Sequence, residues 1–171
     1  MTPGPSHLRR LLQAASRARE SAYAPYSRYP VGAAVLANGR IYAACNVENG
    51  SFPLSVCAER NAVGMAVASG ARRIDAVAVV GGTSRPASPC GGCRQVLAEF
   101  CDASVPVLYA IPGGRPVSTT MGALLPEAFS GRDVKEVAAP STDTPASGRR
   151  ARRPGTGRTA PRRPSSRSSG R

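Results

Sequence analysis

The sequence predicts an α/β fold in three layers (α/β/α), with a central mixed sheet flanked by helices. Helical and strand patterns alternate along the chain in the order αββαβαβα, which favours this class. The length of 171 residues is enough for one domain with a substantial buried core. With 5% aromatic residues and no Trp, that core must consist mainly of Ala, Val and Leu. We therefore expect one folded domain over residues 1–135.

The first part of the chain predicts a helix and a β-hairpin. Leucines and alanines recur at helical spacing over residues 6–24, and arginines occupy the other face. Prolines at both ends of 25–30 remove backbone donors, so this segment should be a loop. An Asn-Gly pair then separates apolar strands at 31–36 and 40–46. Such a pair supplies the positive φ angles of a type I′ turn and thereby predicts a hairpin.

The second part predicts three more helical segments and two more strands. After a proline, residues 55–68 have a helical pattern that ends at Ser-Gly. Residues 74–80 are short, apolar and β-branched, which indicates a buried strand, and 105–111 repeat this pattern. A helix is expected at 90–100, and a short leucine-rich helical segment at 121–129 closes the domain.

The charge of the chain is concentrated at its end. The net charge is +13, but the segment from Pro140 onward contains nine arginines and one aspartate, so it carries +8 and leaves +5 on residues 1–139. Ser, Thr, Pro, Gly and Arg dominate this segment, and we expect 136–171 to be a disordered basic tail. The tail could contact nucleic-acid phosphates, or it could have no function.

The cysteine content favours metal binding. Five cysteines, an odd number, fit poorly with a secreted disulfide scaffold. No stretch is apolar enough to span a bilayer, and the start has no apolar signal segment, so we expect a cytoplasmic protein.

Three of these cysteines form a candidate zinc site. Cys90 and Cys93 are three apart at the start of a predicted helix, where the positive end of the dipole favours thiolates. By themselves they could equally be a redox pair or a chance spacing. Cys57 begins another predicted helix. Zn²⁺ held by three protein ligands keeps a fourth position for water, so this set predicts a catalytic zinc.

Charged neighbours of the cysteines complete the candidate site. Glu59 could be an ordinary helix N-terminal acid, but beside a metal it becomes the favoured proton shuttle. Three thiolates leave the centre with net charge −1, which a nearby cation would correct. Arg60 and Arg94 are the candidates to hydrogen-bond the sulfurs, although either could form a surface salt bridge. We favour Arg60.

Four motifs give the chain a specific resemblance. A Cys-x-Glu followed by Pro-Cys-x-x-Cys is the pattern of the zinc deaminases. The chain contains Cys-Ala-Glu-Arg at 57–60, Pro-Cys-Gly-Gly-Cys-Arg-Gln at 89–95, Asn-Val-Glu-Asn at 46–49 and Pro-Tyr-Ser-Arg-Tyr-Pro-Val-Gly-Ala-Ala at 25–34. With these motifs, residues 8–131 resemble, more narrowly, the small homotetrameric cytidine deaminases.

This resemblance implies a cytidine deaminase-like fold with a five-stranded sheet, a zinc cofactor and a homotetramer with composite active sites. It also implies hydrolysis of cytidine and deoxycytidine to uridine and deoxyuridine with release of ammonia, in pyrimidine salvage. By the same resemblance, the substrate-binding residues are Asn46, Glu48, Tyr29, Ala58, Phe52 and Phe129.

Within that set, Asn46 and Glu48 would bind the ribose 3′-hydroxyl, and Tyr29 would pack on the nucleoside where the family commonly has Phe. Phe52 stands where the family often has Tyr, and Phe129 would close over the base in a neighbouring subunit. The alternative for Phe129 is packing in its own core.

Other functions stay open at this point. A deaminase of a modified cytosine nucleoside, such as a blasticidin-type antibiotic, would share the zinc motifs. A nucleic-acid-associated deaminase would use the basic tail, although the domain lacks the interleaved aromatics of a single-strand channel. A zinc-stabilised binding module would leave Glu59 unexplained.

Overall fold

A computed structural model describes residues 3–131 and Val134. The predicted tail at 136–171 lies outside the described residues. In chain order the elements are α1 (Pro5–Arg19), β1 (Val31–Ala37), β2 (Arg40–Cys45), a 3₁₀ turn (Phe52–Leu54), α2 (Ala58–Ala68), β3 (Ala76–Gly81), α3 (Gly91–Ala98), β4 (Pro106–Ala110), β5 (Val117–Thr120) and α4 (Met121–Leu124).

The five strands form one mixed sheet in the order β2-β1-β3-β4-β5. β1 is antiparallel to both β2 and β3, β3 is parallel to β4, and β5 is antiparallel to β4. The predicted mixed sheet is therefore confirmed. The element-by-element prediction contained four strands and missed β5, because its Val-Ser-Thr-Thr sequence at the sheet edge is mostly exposed and lacks an apolar pattern.

The hairpin between β1 and β2 is confirmed. Asn38 and Gly39 have φ angles of 50° and 72°, the sign that a type I′ turn requires at both positions. The turn pairs Ala37 with Arg40 across its base. This register continues along β1 to Gly32, which pairs with Cys45, so the end of β2 comes to lie beside the start of β1.

Successive strand residues face two different helical layers. Val35, Val77 and Val107 belong to a core shared with α2, α3 and α4, whereas Leu36 and Leu108 belong to a core shared with α1. β3 is buried along its whole length because it is covered on both faces. The three-layer prediction is confirmed by this arrangement.

α1 packs unusually close to the sheet. A Cβ atom added at Gly32 would lie 2.0 Å from the Ala15 carbonyl oxygen, so only glycine fits under this helix. The helix also ends at Arg19, five residues before the predicted end. Tyr23 instead pairs with the 46–48 backbone, where its N–H donates to the Asn46 carbonyl at 3.1 Å.

Other predicted helix bounds also shorten. α2 starts at Ala58 rather than 55, because Val56 pairs with Val47 in an isolated bridge. α4 ends at Leu124 rather than 129, since Leu125 precedes a proline and has an extended φ of −145°. Among the helices that the structure describes, none has both the length and the apolar character needed to cross a membrane.

Candidate active site

Three cysteine sulfurs converge at two neighbouring helix N-termini. Cys57 is the N-cap of α2, Cys90 is the N-cap of α3, and Cys93 lies in the first turn of α3. Their Sγ atoms all lie within 4.8 Å of one another. A tetrahedral zinc with Zn–S bonds of about 2.3 Å would place its sulfurs roughly 3.8 Å apart. The three thiols therefore fit a zinc ion in both ligand type and spacing.

The thiols already stabilise negative charge on one member. Hydrogen bonds from Cys93 and then Cys90, together with the charge of Arg60, lower the pKa of Cys57 to about 6. The pKa of Cys93 is raised, first because its thiol is the donor to Cys57 and then because it is buried. A metal ion binds the thiolate form of cysteine, so a cation that binds here would displace protons from the thiols.

Among the residues that the structure describes, Glu59 is the one charged residue that is buried, with 5% of its surface exposed. It lies in the first turn of α2, two residues after Cys57. Burial raises the pKa of its carboxyl group, and the negative charge of Cys57 raises it further. A carboxyl group with a raised pKa holds a proton to higher pH than an exposed one, which favours its use as a proton donor as well as an acceptor.

A cavity of about 550 Å³ joins Cys57 and Cys90 to the loops that precede β1 and follow β2. Its wall brings together most of the residues predicted to act on the substrate. The residues that line it are Ser27, Tyr29, Val31, Asn46, Glu48, Cys57, Ala58, Glu59, Val79, Pro86, Ala87, Ser88 and Cys90.

Asn46 connects the end of β2 to the start of β1. Its Oδ1 accepts a hydrogen bond from Val31 N at 2.9 Å, and its Nδ2 donates to the Tyr29 carbonyl at 3.0 Å. A carboxamide has two donor hydrogens and two acceptor lone pairs, so one of each is left for a ligand. The side chain thus fixes the strand start while it lines the cavity.

Glu48 fixes the loop at 25–30. Its carboxylate accepts hydrogen bonds from Tyr26 N at 2.9 Å, from Ser27 N at 3.2 Å and from the Ser27 hydroxyl. The Ser27 hydroxyl is the main cause of a lowered pKa at Glu48. Ser27 Oγ also accepts from Tyr29 N at 3.0 Å, which links the carboxylate to the aromatic residue.

Sequence reasoning missed several cavity residues. Ser27 could have been suspected, because a serine between two prolines often bonds the local backbone. The segment from Pro86 to Ser88 carries no signal in the sequence. It reaches the cavity because Gly82 adopts a φ of +82° and the chain turns back, with Ala87 N donating to the Gly81 carbonyl.

Two of the three predicted aromatic contacts, Phe52 and Phe129, lie outside the cavity of their own chain. Phe52 is 69% exposed, and its ring meets Tyr26 edge to face with a centroid distance of 5.7 Å. Phe129 is 64% exposed, which contradicts the alternative that it packs in its own core. Both rings are thus available to another molecule.

The two arginines have different surroundings. Arg60 is exposed, and its charge contributes to the lowered pKa of Cys57. Arg94 donates instead to oxygen atoms: the Pro89 carbonyl at 2.8 Å, the Leu124 carbonyl at 2.9 Å and the Ser88 hydroxyl at 3.0 Å. In the described residues, therefore, the hydrogen bonds of Arg94 go to oxygen and not to sulfur, contrary to its expected role, because the planar guanidinium matches these convergent oxygens.

Comparisons with known proteins agree with this site. A family model described as the cytidine and deoxycytidylate deaminase zinc-binding region matches residues 5–109, which include all three cysteines and Glu59. A cytidine deaminase of Sporosarcina psychrophila is 49% identical over 130 residues, which are 75% of this chain and 96% of that protein. A cytidine deaminase of Halalkalibacterium halodurans is 45% identical over 127 residues, 74% of this chain and 96% of that protein.

A similar solved structure is the crystal structure of cytidine deaminase from Burkholderia pseudomallei. It has a TM-score of 0.68 at 47% identity, and the match covers 71% of this chain and 98% of that chain.

Proposed function

Because the chain belongs to the cytidine and deoxycytidylate deaminase family, we propose that its cavity carries out the zinc-dependent hydrolysis of cytidine and deoxycytidine to uridine and deoxyuridine, with release of ammonia. The observation that carries this proposal is one cavity lined by Cys57, Cys90, the buried Glu59, Asn46 and Glu48, with the Cys93 sulfur within 4.8 Å of the other two sulfurs.

The metal would be held by the sulfurs of Cys57, Cys90 and Cys93. When bound, zinc supplies a Lewis acid that lowers the pKa of water to near neutrality. Arg60 supports this ligand set through its positive charge, which offsets part of the negative charge of the thiolates.

Glu59 moves the protons of the reaction. Its carboxylate takes a proton from the attacking water, delivers it to N3 of cytosine and then transfers a proton to the amino group that leaves as ammonia. Water adds one oxygen at C4, and the bond between C4 and the exocyclic amino nitrogen breaks. The raised pKa of Glu59 supports this role, because the group must be protonated in one step and ionised in the other.

The cavity favours a nucleoside over a nucleotide. The residues that line it include two carboxylates, Glu48 and Glu59, and the described lining contains no Lys, Arg or His. A 5′-phosphate would bring further negative charge into this wall without a cation to receive it. We therefore infer a free nucleoside as the substrate.

The remaining lining residues give the nucleoside its orientation. Asn46 and Glu48 offer a donor and acceptors to the ribose 3′-hydroxyl, and both are held in place by the hydrogen bonds described above. Tyr29 packs on the nucleoside, and Ala58, which lines the cavity at the start of α2, contacts the base.

We also propose a homotetramer in which active sites are completed across subunits. The support is that Phe52 and Phe129 are exposed in one chain, while the cavity of that chain is lined by neither. Symmetric closed assemblies commonly supply such contacts. Phe129 would then close over the base in a neighbouring subunit.

The proposed cellular setting is pyrimidine salvage in the cytoplasm. All five cysteines are free thiols, as a reducing compartment would keep them. Residues 1–135 are proposed as the catalytic domain, and the tail at 136–171 as dispensable for turnover.

The test combines substrate and metal. The full chain is assayed by the loss of absorbance that accompanies conversion of cytidine to uridine, and its zinc is quantified in the same sample. Deoxycytidine, deoxycytidine 5′-phosphate, blasticidin S and a cytosine-containing single-stranded oligonucleotide serve as comparison substrates. We expect turnover of both nucleosides with about one zinc per chain. Failure to convert cytidine, or preference for the antibiotic, the phosphate or the oligonucleotide, would reject the proposal.

A further inference from the structure

Two consecutive residues of α3 hold the C-terminal part of the domain. Arg94 and Gln95 directly follow the candidate ligand Cys93. Arg94 Nη1 donates to the Leu124 carbonyl at 2.9 Å, and Gln95 Nε2 donates to the Phe129 carbonyl at 2.7 Å. These acceptors lie 30 and 34 residues further along the chain. The metal-binding helix is therefore bonded to both ends of the segment at 124–129.

The same arginine also holds the approach to the metal site. Its Nε donates to the Pro89 carbonyl, and its Nη2 donates to the Ser88 hydroxyl. Ser88 lines the cavity, and the fully buried Pro89 precedes Cys90. One planar guanidinium thus joins the cavity wall, the chain leading to a zinc ligand and the end of α4. A lysine has all its donors on one nitrogen, whereas these three bonds use three separate nitrogens of the guanidinium.

Gln95 sets the place of Phe129. α4 stops at Leu124, and Pro126 prevents the helix from continuing. Beyond that point the bond from Gln95 attaches the backbone of Phe129 to α3, while the residue remains 64% exposed. The helix that carries Cys93 therefore holds the backbone of Phe129 in place, and the side chain stays exposed.

We propose that Arg94 and Gln95 are positioning residues that join the metal site of one chain to the segment that delivers Phe129 to the cavity of the next. This inference rests on the proposed function, in which Phe129 contacts substrate across a subunit boundary. Its consequence is that loss of Gln95 weakens substrate binding in the neighbouring subunit, whereas loss of Arg94 also loosens the zinc ligands of its own chain.

A double-mutant cycle tests Gln95. We expect Gln95→Ala to raise KM for cytidine roughly fivefold, the size of effect expected for one lost hydrogen bond, with kcat within about twofold and zinc content unchanged. In a Phe129→Ala background the same change should have no further effect on KM, because it acts through Phe129. Gln13→Ala, on the exposed face of α1, is the matched control.

The outcomes of this cycle separate the inference from the proposed function. If Gln95→Ala still raised KM fivefold in the Phe129→Ala background, the positioning role of Gln95 would be overturned and the proposed function would stand. An unchanged KM in Phe129→Ala, with cytidine still converted, would reject both the contact across subunits and the positioning that depends on it. Absence of cytidine turnover in the unaltered chain would instead reject the proposed function.

Arg94 is tested without substrate. Arg94→Met keeps most of the apolar stem, and we expect its zinc to pass to a chromogenic chelator about five times faster than that of the unaltered protein. Arg94→Lys, which keeps the charge, should recover only part of this difference, and the control Arg115→Met should release zinc normally. Should Arg94→Met fold poorly, Arg94→Lys decides alone. Zinc release at the unaltered rate in the variant that folds would overturn the role of Arg94.

Discussion

Replacement of Glu59 by glutamine separates the chemistry of the site from its architecture. The two side chains have nearly the same shape, and the position is 5% exposed, so the change removes a buried ionisable group without creating a cavity. Because burial and the charge of Cys57 already disfavour the carboxylate form, a neutral amide should not cost stability. We expect an unchanged or slightly higher Tm and full zinc content.

The loss of activity should be large. General acid–base catalysis contributes about 10²–10⁴-fold in rate, which corresponds to about 3–5 kcal/mol of transition-state stabilisation. Here the same group must handle every proton transfer, so a loss of at least about 10³-fold in kcat is expected for Glu59→Gln. The assay is cytidine conversion followed by absorbance, with Glu99→Gln at the exposed end of α3 as control. Turnover within tenfold of the unaltered protein, with zinc bound, would refute the assignment of Glu59.

Three further predictions concern the substrate loop, the packing of α1 and the tail. Ser27→Ala should raise KM for cytidine about three- to tenfold. Without the Ser27 hydroxyl the pKa of Glu48 should rise, which moves the acidic limb of the KM–pH profile to higher pH. An unshifted profile would contradict this prediction. Gly32→Ala should lower Tm by several degrees in a thermal melt, whereas Gly64→Ala, on an open helix surface, should leave or raise it; equal melts would disprove the packing argument. A chain that ends at Ala139 should keep kcat within about twofold, and a larger loss would assign the tail a part in the site.

The metal site was predictable because its signals are local. Cys57 and Cys90 are both N-caps, and the motifs around them lie within a few residues of each helix start. The hairpin was predictable for the same reason, since Asn38 and Gly39 determine the turn by their own backbone preferences. A structural feature that is determined by the residues of one short segment can be predicted from the sequence of that segment.

The wrong predictions concern features that are determined by contacts between segments distant in the sequence. α1 stops early because Tyr23 pairs with residues about 23 positions away, and β5 forms because β4 offers an edge to an otherwise unremarkable segment. The oxygen partners of Arg94 could not be foreseen either, because they come from three places that only the fold brings together. Long-range hydrogen bonds of this kind leave no periodic or compositional trace.

The amide of Asn46 imposes a constraint on how this cavity can change over evolutionary time. By bonding Tyr29 O and Val31 N, the side chain imitates a peptide group of an adjacent strand, so it is part of the sheet as well as of the binding wall. A substitution there would alter sugar recognition and strand pairing together, and few variants could survive both. New nucleoside preferences should therefore arise through Pro86 and Ala87, which line the cavity and whose apolar side chains make none of the hydrogen bonds that fix the strands or the metal site.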